Sequence, residues 1–271
     1  MPELPEVETT RRGIEPHLVG ASIQQLTLRT AKLRWPLDPA LCELLPGQAI
    51  RAVERRAKYL LLRLKQGTLL LHLGMSGSLR LVAAGSPPGK HDHVDLLLST
   101  GQLLRFQDPR KFGALLWVSG DPYRHPLLAR LGPEPLSSEL NGQALHQASR
   151  ARRIAVKPFI MDQQTVVGVG NIYASEALFR AAISPTIAAG KLSLVRWQRL
   201  AEAIKLVLQE AIAAGGTTLQ DFAQSDGRPG YFKQQLLVYG RGGEPCRVCH
   251  EPIELIRLSQ RSTYFCRHCQ T

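Results

Sequence analysis

Long apolar stretches are missing from this sequence of 271 residues. No apolar run approaches the roughly 20 residues that a membrane-spanning helix needs, so no membrane-spanning segment is expected. The first residues, Met1 to Glu6, are acidic and lack the basic and then apolar order that typifies a signal peptide. Internal repeats and low-complexity segments are also missing. These absences predict a protein of the cytoplasm.

Cysteine is scarce, and its placement is uneven. The chain has five cysteines, too few for a disulfide scaffold of this length. Four of them form Cys246-x2-Cys249 and, after sixteen further residues, Cys266-x2-Cys269. This spacing lets four thiolates surround one ion, and Zn²⁺ is the usual occupant. We expect one structural zinc, with the segments 253–258 and 262–265 forming a hairpin around it.

Acidic residues are outnumbered by basic ones, 22 to 34, which gives a net charge of +12. Such an excess favours a polyanionic partner, because lysine and arginine neutralise phosphates and release their counterions. A basic protein with a merely solvated surface is the alternative. The arginines of the cysteine-rich tail favour phosphate contact.

The first half of the chain has the pattern of a β-sheet protein with a leading helix. Residues 5–16 are expected to form that helix, with Pro5 in its first turn and Pro16 at its close. Six short apolar segments follow, at 59–64, 68–73, 78–82, 94–98, 103–106 and 114–118. Glycine or proline separates most of them, which predicts an antiparallel β-sandwich.

The second half has a helical pattern. Beyond a hinge near residues 131–135, apolar residues recur at helical spacing over 197–212. Ser193 is a suitable N-cap for this helix, and Gly215-Gly216 is a suitable stop. We assign the apolar stripe to the core. The fold class is therefore α+β, with a sandwich followed by a helical domain.

Pro2 becomes a secondary-amine nucleophile if Met1 is removed, which the small proline permits. An α-amino group titrates near ~8 and lysine near ~10.4, so at about pH 7.5 roughly two hundred times more of the former is neutral. Its attack on C1′ of a sugar gives an iminium without an N–H, which stays cationic and acidifies the C2′ proton. Glu3 could supply a proton to the sugar ring oxygen. Proline and glutamate are also common at helix starts for structural reasons.

Seven short motifs occur in order along the chain. They are Pro2-Glu3-Leu4-Pro5-Glu6-Val7-Glu8-Thr9, Arg56-Ala57-Lys58-Tyr59-Leu60, Leu73-Gly74-Met75-Ser76-Gly77-Ser78-Leu79, Lys90-His91-Asp92-His93, Asp108-Pro109-Arg110-Lys111-Phe112-Gly113, Gly168-Val169-Gly170-Asn171-Ile172-Tyr173-Ala174 and Tyr239-Gly240-Arg241. With them and the four cysteines, the chain closely resembles the bacterial formamidopyrimidine-DNA glycosylases over nearly its whole length. These enzymes excise 8-oxoguanine and ring-opened purines.

The resemblance implies base-excision repair by an enzyme that is both a glycosylase and a lyase. It makes Pro2 the nucleophile that forms a Schiff base and Glu3 the acid. Lys58 would assist base loss and β-elimination, and Arg261 at the tip of the zinc finger would assist δ-elimination. The expected product is a one-nucleotide gap with phosphates at both ends. Without the resemblance, Lys58 would be predicted as a solvated lysine at a strand edge.

The remaining motifs imply handling of a flipped base. Met75 would enter the vacated stack, Arg110 would bond the orphaned cytosine, and Phe112 would wedge into the opposite strand. Taken singly, Met75 and Phe112 would be predicted as core residues. Asn171, in a helix–two-turn–helix element, would contact the DNA backbone. Three further positions match DNA-contacting residues of the family, with Lys157 as a weaker candidate: His91, Arg152 and Tyr239. The segment 217–232 matches the family's loop over the flipped purine.

The predicted domains are a catalytic β-sandwich at 1–131, a hinge at 132–145, a helix–two-turn–helix domain at 146–240 and a zinc finger at 241–271. The expected partner is double-stranded DNA that contains oxidised purines, bound by a monomer in the bacterial cytoplasm at the nucleoid. No membrane contact is expected.

Three other functions compete with this one. An endonuclease VIII-type glycosylase for oxidised pyrimidines would share Pro2, Glu3 and the zinc finger, but Leu4-Pro5 and the Arg110–Phe112 pairing favour the purine enzyme. A non-catalytic protein that binds lesions would not need Pro2, Glu3 and Lys58. A zinc-ribbon protein that contacts other proteins would not need the charge or the wedge residues.

Overall fold

In a computed structural model, the structure describes residues 2–217 and 232–271. Residues 218–231, which make up most of the segment predicted to cover the flipped purine, lie outside the described residues. The chain divides into two compact units. The first unit comprises the chain up to Ala129 and the segment that begins at Ala214, and the second unit comprises Arg130–Ala213 and Gln234–Thr271. The predicted division into four segments stays a prediction.

The first unit begins with a helix and continues as two antiparallel sheets. Its elements are α1 (Leu4–Leu18), β1 (Ile23–Leu28), α2 (Leu41–Leu44), β2 (Ala52–Arg56), β3 (Tyr59–Arg63), β4 (Thr68–His72), β5 (Ser78–Ala83), β6 (Asp92–Leu98), β7 (Gln102–Gln107), β8 (Ala114–Val118), a 3₁₀ turn (Pro122–Arg124) and α3 (Pro126–Ala129). The sheet orders are β1-β6-β7-β5 and β2-β3-β4-β8. One apolar cluster contains buried residues of both sheets, such as Leu62 and Leu96. The predicted sandwich with a leading helix is confirmed.

Two features of this unit differ from the sequence-based expectation. The predicted end of α1 at Pro16 is wrong, because the helix continues to Leu18 with Pro16 inside its last turn. A proline there removes only one hydrogen bond, and burial of Ile14 and Leu18 holds the turn. Strands β1 and β2 were not predicted. Both lie at sheet edges, and at least half of the residues in each are polar or charged, which hides a strand from an apolar pattern.

The register of the second sheet gathers several motifs at one of its ends. Arg56 pairs with Tyr59, Tyr59 with His72, and His72 with Ala114. The residues beyond this row are therefore neighbours in space: Lys58 in the β2–β3 turn, Met75 after β4, and the segment before β8. Sheet pairing thus brings together three motifs that lie far apart in sequence.

The second unit is helical and ends in a hairpin. Its elements are α4 (Gly142–Ser149), α5 (Val156–Met161), α6 (Asn171–Arg180), a 3₁₀ turn (Ala189–Lys191), α7 (Leu194–Ala213), β9 (Glu254–Leu258) and β10 (Arg261–Phe265), and a further 3₁₀ turn spans Phe232–Gln235. The predicted stripe over 197–212 is buried on α7, and Gly215 and Gly216 follow with left-handed φ values. No described helix is both long and apolar enough to cross a membrane.

Candidate active site and nucleic-acid interface

The start of α1 is fixed by carboxylates. Glu3 is the N-cap, and its side chain accepts the backbone N–H of Glu6. In return Glu6 Oε2 accepts the backbone N–H of Glu3 at 2.8 Å, which completes a capping box. Glu6 Oε1 accepts both the N–H and the hydroxyl of Thr217 at 2.9 Å. Pro2 and Glu3 are both buried, so the candidate nucleophile sits on a rigid backbone.

The Lys58 turn is tied to the same helix through Glu8. This carboxylate accepts hydrogen bonds from Arg11, Arg12 and Arg55, the last at 2.9 Å. Burial alone would raise the pKa of Glu8, but the three guanidinium groups outweigh it and lower the pKa below 4.5. Arg55 also donates to the carbonyl of Ala57 at 3.0 Å.

Lys58 itself is only 9% exposed. A solvated lysine, the expectation without the family resemblance, is therefore wrong. Its turn begins with Ala57 at φ 54°, in the left-handed region that side chains rarely adopt. A buried amine on such a turn suits a positioned group better than a surface charge.

Two turns beside this lysine carry the candidate wedge residues. We call residues 74–77 the Met75 turn and residues 108–113 the Phe112 turn. Phe112 is 45% exposed, which excludes a core role, and the Arg110 guanidinium stacks over its ring at 4.9 Å. An open, mainly apolar cavity of about 520 Å³ adjoins both turns. Its walls include Leu33, Arg34, His72, Met75, Lys111 and Phe112.

His72, at the end of β4, stabilises the Met75 turn through a hydrogen bond. Burial, with the positive charges of Lys58 and Arg34, lowers its pKa to about 4. The ring is therefore neutral at physiological pH, and its Nδ1 accepts the N–H of Gly74 at 2.9 Å. This histidine lies one residue before the Leu73-Gly74-Met75 motif, and the sequence analysis did not single it out.

In the second unit, the helix–two-turn–helix element joins α5 to α6. Gly168 has φ 78°, and its N–H donates to the Gln163 side chain at 3.0 Å. Gly170 is the N-cap of α6, which starts at Asn171. The Asn171 amide donates to the carbonyl of Ser262 at 3.0 Å, so this element is bonded directly to the cysteine-rich hairpin.

Lys157 completes that connection from inside the unit. It is 1% exposed, and its Nζ donates to Asn171 Oδ1 at 2.7 Å, to Thr263 Oγ1 at 2.8 Å and to the carbonyl of Ser262 at 3.2 Å. From the sequence, Lys157 is only a weaker candidate, because a sequence pattern does not show that a lysine is buried. Its three acceptors place it among the groups that support the hairpin.

Arg261 is exposed and is the first residue of β10, at the hairpin tip as expected. Ser259 and Gln260 form the turn with φ values of 46° and 63°. Two left-handed residues define the type I′ turn that suits a two-residue hairpin. A cavity of about 220 Å³ beside the tip is lined by Arg261, Lys157 and Asp162.

The four cysteines converge into one cluster. Their sulfur atoms lie within 4.8 Å of one another, with Cys246 to Cys269 at 3.9 Å and Cys249 to Cys266 at 3.4 Å. Zn–S bonds of about 2.3 Å in a tetrahedron put sulfurs roughly 3.8 Å apart, so the cluster fits zinc. Burial and the neighbouring thiols raise the pKa of Cys269, as expected where thiolates would crowd without a cation.

His250 and His268 are exposed and lie outside this cluster. The predicted set of four cysteine ligands is confirmed, and their cluster fits one structural zinc.

The remaining predicted DNA contacts lie on different supports. The backbone N–H of Asp108 donates to the carbonyl of His91 at 3.0 Å. Arg152 is exposed and follows Ala151, which has φ 60°. Tyr239 packs edge-on against Tyr264 of the hairpin, with ring centroids 5.1 Å apart. Their contacts with DNA stay predictions.

Glu176 is a supporting residue that the sequence analysis missed. It is fully buried, and its carboxylate accepts the backbone N–H groups of Leu237, Val238 and Tyr239 at 2.8–3.0 Å. The side chain thereby fixes the segment that leads into the hairpin. Its partners lie about sixty residues away, so no local pattern could have revealed them.

The fold and these groups define a zinc-finger protein with an N-terminal β-sandwich and a helix–two-turn–helix element. Three family models match in order: the formamidopyrimidine-DNA glycosylase N-terminal domain over residues 1–115, the H2TH domain of the same enzyme over 131–223, and a zinc finger found in FPG and IleRS over 243–271. The chain belongs to the formamidopyrimidine-DNA glycosylase family.

Individual relatives agree with this assignment. A formamidopyrimidine-DNA glycosylase of Stutzerimonas stutzeri is 60% identical over 270 residues, with full coverage of both chains. A structure of the wild-type Lactococcus lactis enzyme with DNA containing N7-benzyl-Fapy-dG matches at a TM-score of 0.92 and 33% identity, with both chains fully covered. Another complex of that enzyme, with DNA containing an oxidised pyrimidine, matches at 0.91 and 34%, again over both full chains.

Proposed function

We propose that this protein is a base-excision repair enzyme that flips out and removes oxidised purines from double-stranded DNA and then cuts the strand. The observation that carries the proposal is the match of all three family models, in order, along one chain. The relatives bear the name of this glycosylase, and a solved relative holds a ring-opened purine lesion. The net charge of +12 suits a polyanionic partner.

The amine of Pro2, freed by removal of Met1, is the nucleophile. Its lone pair forms the bond to C1′ while the bond from C1′ to the damaged base breaks and the base leaves with a proton. Glu3 protonates the ring oxygen as the sugar opens to the iminium. The buried, doubly capped start of α1 supports this role, since it holds the amine and the acid in one arrangement.

Strand cutting follows from the iminium. Loss of the C2′ proton expels the 3′ phosphate, and a second elimination expels the 5′ phosphate and leaves a one-nucleotide gap. Lys58 is the candidate for assistance at base loss and the first elimination, because it is buried on a turn that Arg55 ties to α1. Arg261, exposed at the hairpin tip, is the candidate for the second elimination.

The DNA is held by groups from both units. In the first unit, Met75 would enter the stack that the flipped base leaves, Arg110 would bond the orphaned cytosine and Phe112 would wedge into the opposite strand. His91 would also contact the DNA. In the second unit, Asn171, Arg152 and Tyr239 would contact phosphates. The zinc would fix the hairpin that carries Arg261. We place the protein in the bacterial cytoplasm, at the nucleoid, as a monomer.

Borohydride trapping on a duplex with one 8-oxoguanine opposite cytosine tests the mechanism. We expect a covalent adduct, and peptide mapping should locate it at Pro2. Pro2→Gly should lose most of the adduct, whereas Pro5→Ala, which changes the next proline of the same helix start, should keep it. An adduct at another residue would contradict the amine mechanism.

A second substrate class has a specific observation in its favour. The Lactococcus lactis relative has been solved with DNA that contains an oxidised pyrimidine. Duplexes with thymine glycol and with 8-oxoguanine should therefore be compared side by side. Faster excision of the pyrimidine would replace the purine assignment, and tight binding without excision of either would indicate a non-catalytic lesion binder.

A further inference from the structure

Asp108 connects two turns that no motif relates. It is fully buried, and its Oδ1 accepts the Ser76 hydroxyl at 2.8 Å and the Arg110 N–H at 3.3 Å. Its Oδ2 accepts the N–H of Gly113 at 2.7 Å. The carboxylate is thus bonded to the start and the end of the Phe112 turn and also to the Met75 turn.

Ser76 closes the connection from the other side. Its hydroxyl oxygen accepts the backbone N–H of Arg110 at 3.2 Å while its proton goes to Asp108. Ser76 is only 4% exposed, so its hydroxyl serves the protein and not a ligand. The backbone that orients Arg110 therefore depends on a residue of the Met75 turn.

Close backbone packing adds to these bonds. A Cβ atom on Gly74 would lie 2.4 Å from the carbonyl carbon of Phe112. One on Gly113 would lie 2.9 Å from the carbonyl oxygen of His72 and 2.5 Å from the Phe106 ring. The two turns touch main chain to main chain, and neither has room to shift alone.

We propose that Asp108 and Ser76 are positioning residues that hold the two turns together as one rigid structure. Met75, Phe112 and Arg110 would then enter the DNA double helix together. This inference rests on the proposed function of these three residues. Recognition of the orphaned base by Arg110 is then coupled to wedge insertion by Met75 through the hydrogen bonds of Ser76. Discrimination of the opposite base should therefore depend on Ser76, although this residue is buried.

The test measures affinity, so that it does not depend on catalysis. Each variant is titrated with two duplexes that carry the same non-cleavable tetrahydrofuran abasic analogue, one opposite cytosine and one opposite adenine. Ser76→Ala should lower the cytosine-to-adenine affinity ratio by about five- to tenfold, the loss expected for one buried hydrogen bond. Ser78→Ala, a buried serine two residues along whose hydroxyl makes none of these bonds, should leave the ratio unchanged.

A double substitution separates positioning from general damage. If Ser76 acts through Arg110, then Ser76→Ala should have no further effect on the ratio in an Arg110→Ala background. Amide hydrogen exchange should accelerate at Arg110 in Ser76→Ala and stay slow at Gly113, whose bond to Asp108 is intact. An unchanged ratio in Ser76→Ala, or effects that add in the double variant, would overturn the proposal. Absent excision of 8-oxoguanine with a normal ratio would instead contradict only the proposed function.

Discussion

Each of the two units has a hairpin that carries a candidate catalytic cation, Lys58 in the first unit and Arg261 in the second. The two hairpins have similar turns, but their strands are stabilised in different ways. Ala57 and Lys58 join β2 to β3, whereas Ser259 and Gln260 join β9 to β10 directly before Arg261. In both, a non-glycine residue with left-handed φ immediately precedes the basic residue. The turns therefore use the same backbone device to aim a cation.

Beneath the turn the two hairpins are supported by different means. The centre of β3, from Leu60 to Leu62, is at most 1% exposed within the sandwich core. On β9, Leu255 is 55% exposed, and the hairpin packs on a small cluster around the cysteines. A segment this short cannot bury enough apolar area, so the metal supplies the folding free energy that the core supplies in the sandwich.

A left-handed residue also precedes candidate DNA-contacting side chains outside the two hairpins. Lys111 precedes Phe112 and Ala151 precedes Arg152 in the same way. Strained backbone of this kind persists where surrounding structure holds it, and it clusters at functional sites. Here the supports are Asp108 for one turn and, for the other, the N–H of Gly190, which donates to the Arg152 carbonyl.

Loss of zinc should have the largest effect, because it removes the support of the β9–β10 hairpin and leaves that of the β2–β3 hairpin intact. Cys249→Ser leaves three thiolates, and a structural zinc contributes on the order of 10 kcal/mol to its module. We expect the hairpin to unfold and DNA binding to fall at least a hundredfold, while the sandwich keeps its β-sheet circular dichroism. Metal analysis and salt-controlled titrations measure both effects. Cys42→Ser, which changes the cysteine outside the cluster, is the control, and a zinc-free variant that still binds DNA normally would contradict the prediction.

The equivalent support in the sandwich is Glu8, and its removal should cost less. Glu8→Gln leaves Arg11 and Arg55, whose side chains are mostly buried, without their anion, which should lower the free energy of unfolding by about 3 kcal/mol. Glu15→Gln is the matched control, because Glu15 also pairs with Arg11 but is 42% exposed and should contribute at most about 1 kcal/mol. Equal losses in chemical denaturation of the two variants would show that burial of Glu8 is not what matters.

The same substitution has a defined pH dependence. The pKa of Glu8 is lowered in the folded protein, so its contribution is present above about pH 4.5 and is lost as the pH falls through the folded value. The difference in melting temperature between the wild type and Glu8→Gln should therefore shrink on acidification from pH 6 to pH 3. If the difference in melting temperature grows in acid, the stabilising form of Glu8 is not the ionised carboxylate.

How much of the fold and of the candidate site can be predicted from the sequence depends on how far apart the interacting residues lie along the chain. The zinc ligands and the α7 stripe follow from local spacing, and both were predicted. The bond between Thr217 and Glu6 spans 211 residues, and the burial of Lys157 depends on a hairpin more than a hundred residues away. No local pattern encodes either contact. The proposed roles of Lys58 and Arg261 rest on family motifs alone. That of Pro2 also rests on the chemistry of a secondary amine, but each of the three residues has an ordinary structural explanation when taken singly.

Lys157 offers an intermediate perturbation of the zinc-supported hairpin. Lys157→Met keeps the aliphatic part of the side chain but removes the donor to Asn171 Oδ1 and Thr263 Oγ1. The loss should lower the free energy of unfolding by about 2 kcal/mol. We expect zinc to stay bound while amide exchange at Ser262 and Thr263 accelerates and DNA affinity falls about tenfold. Lys205→Met removes an equal charge from α7, at a side chain that is 22% exposed, and should change neither the amide exchange nor the affinity. Affinity losses of the same size in both variants would mean that only the net charge matters.

The smallest effect should come from relieving the strain in the two turns. A non-glycine residue in the left-handed region costs about 1 kcal/mol, so Gln260→Gly and Ala57→Gly should each stabilise their own hairpin by up to that amount. If the supports differ, Gln260→Gly should tighten zinc binding by up to about fivefold without changing the melting temperature of the sandwich. Ala57→Gly should instead raise the melting temperature of the sandwich without changing the zinc affinity. Competition with a chelator and differential scanning calorimetry on the same samples measure the two responses. A glycine that improves both properties, or neither, would mean that the two hairpins do not fold as independently supported structures.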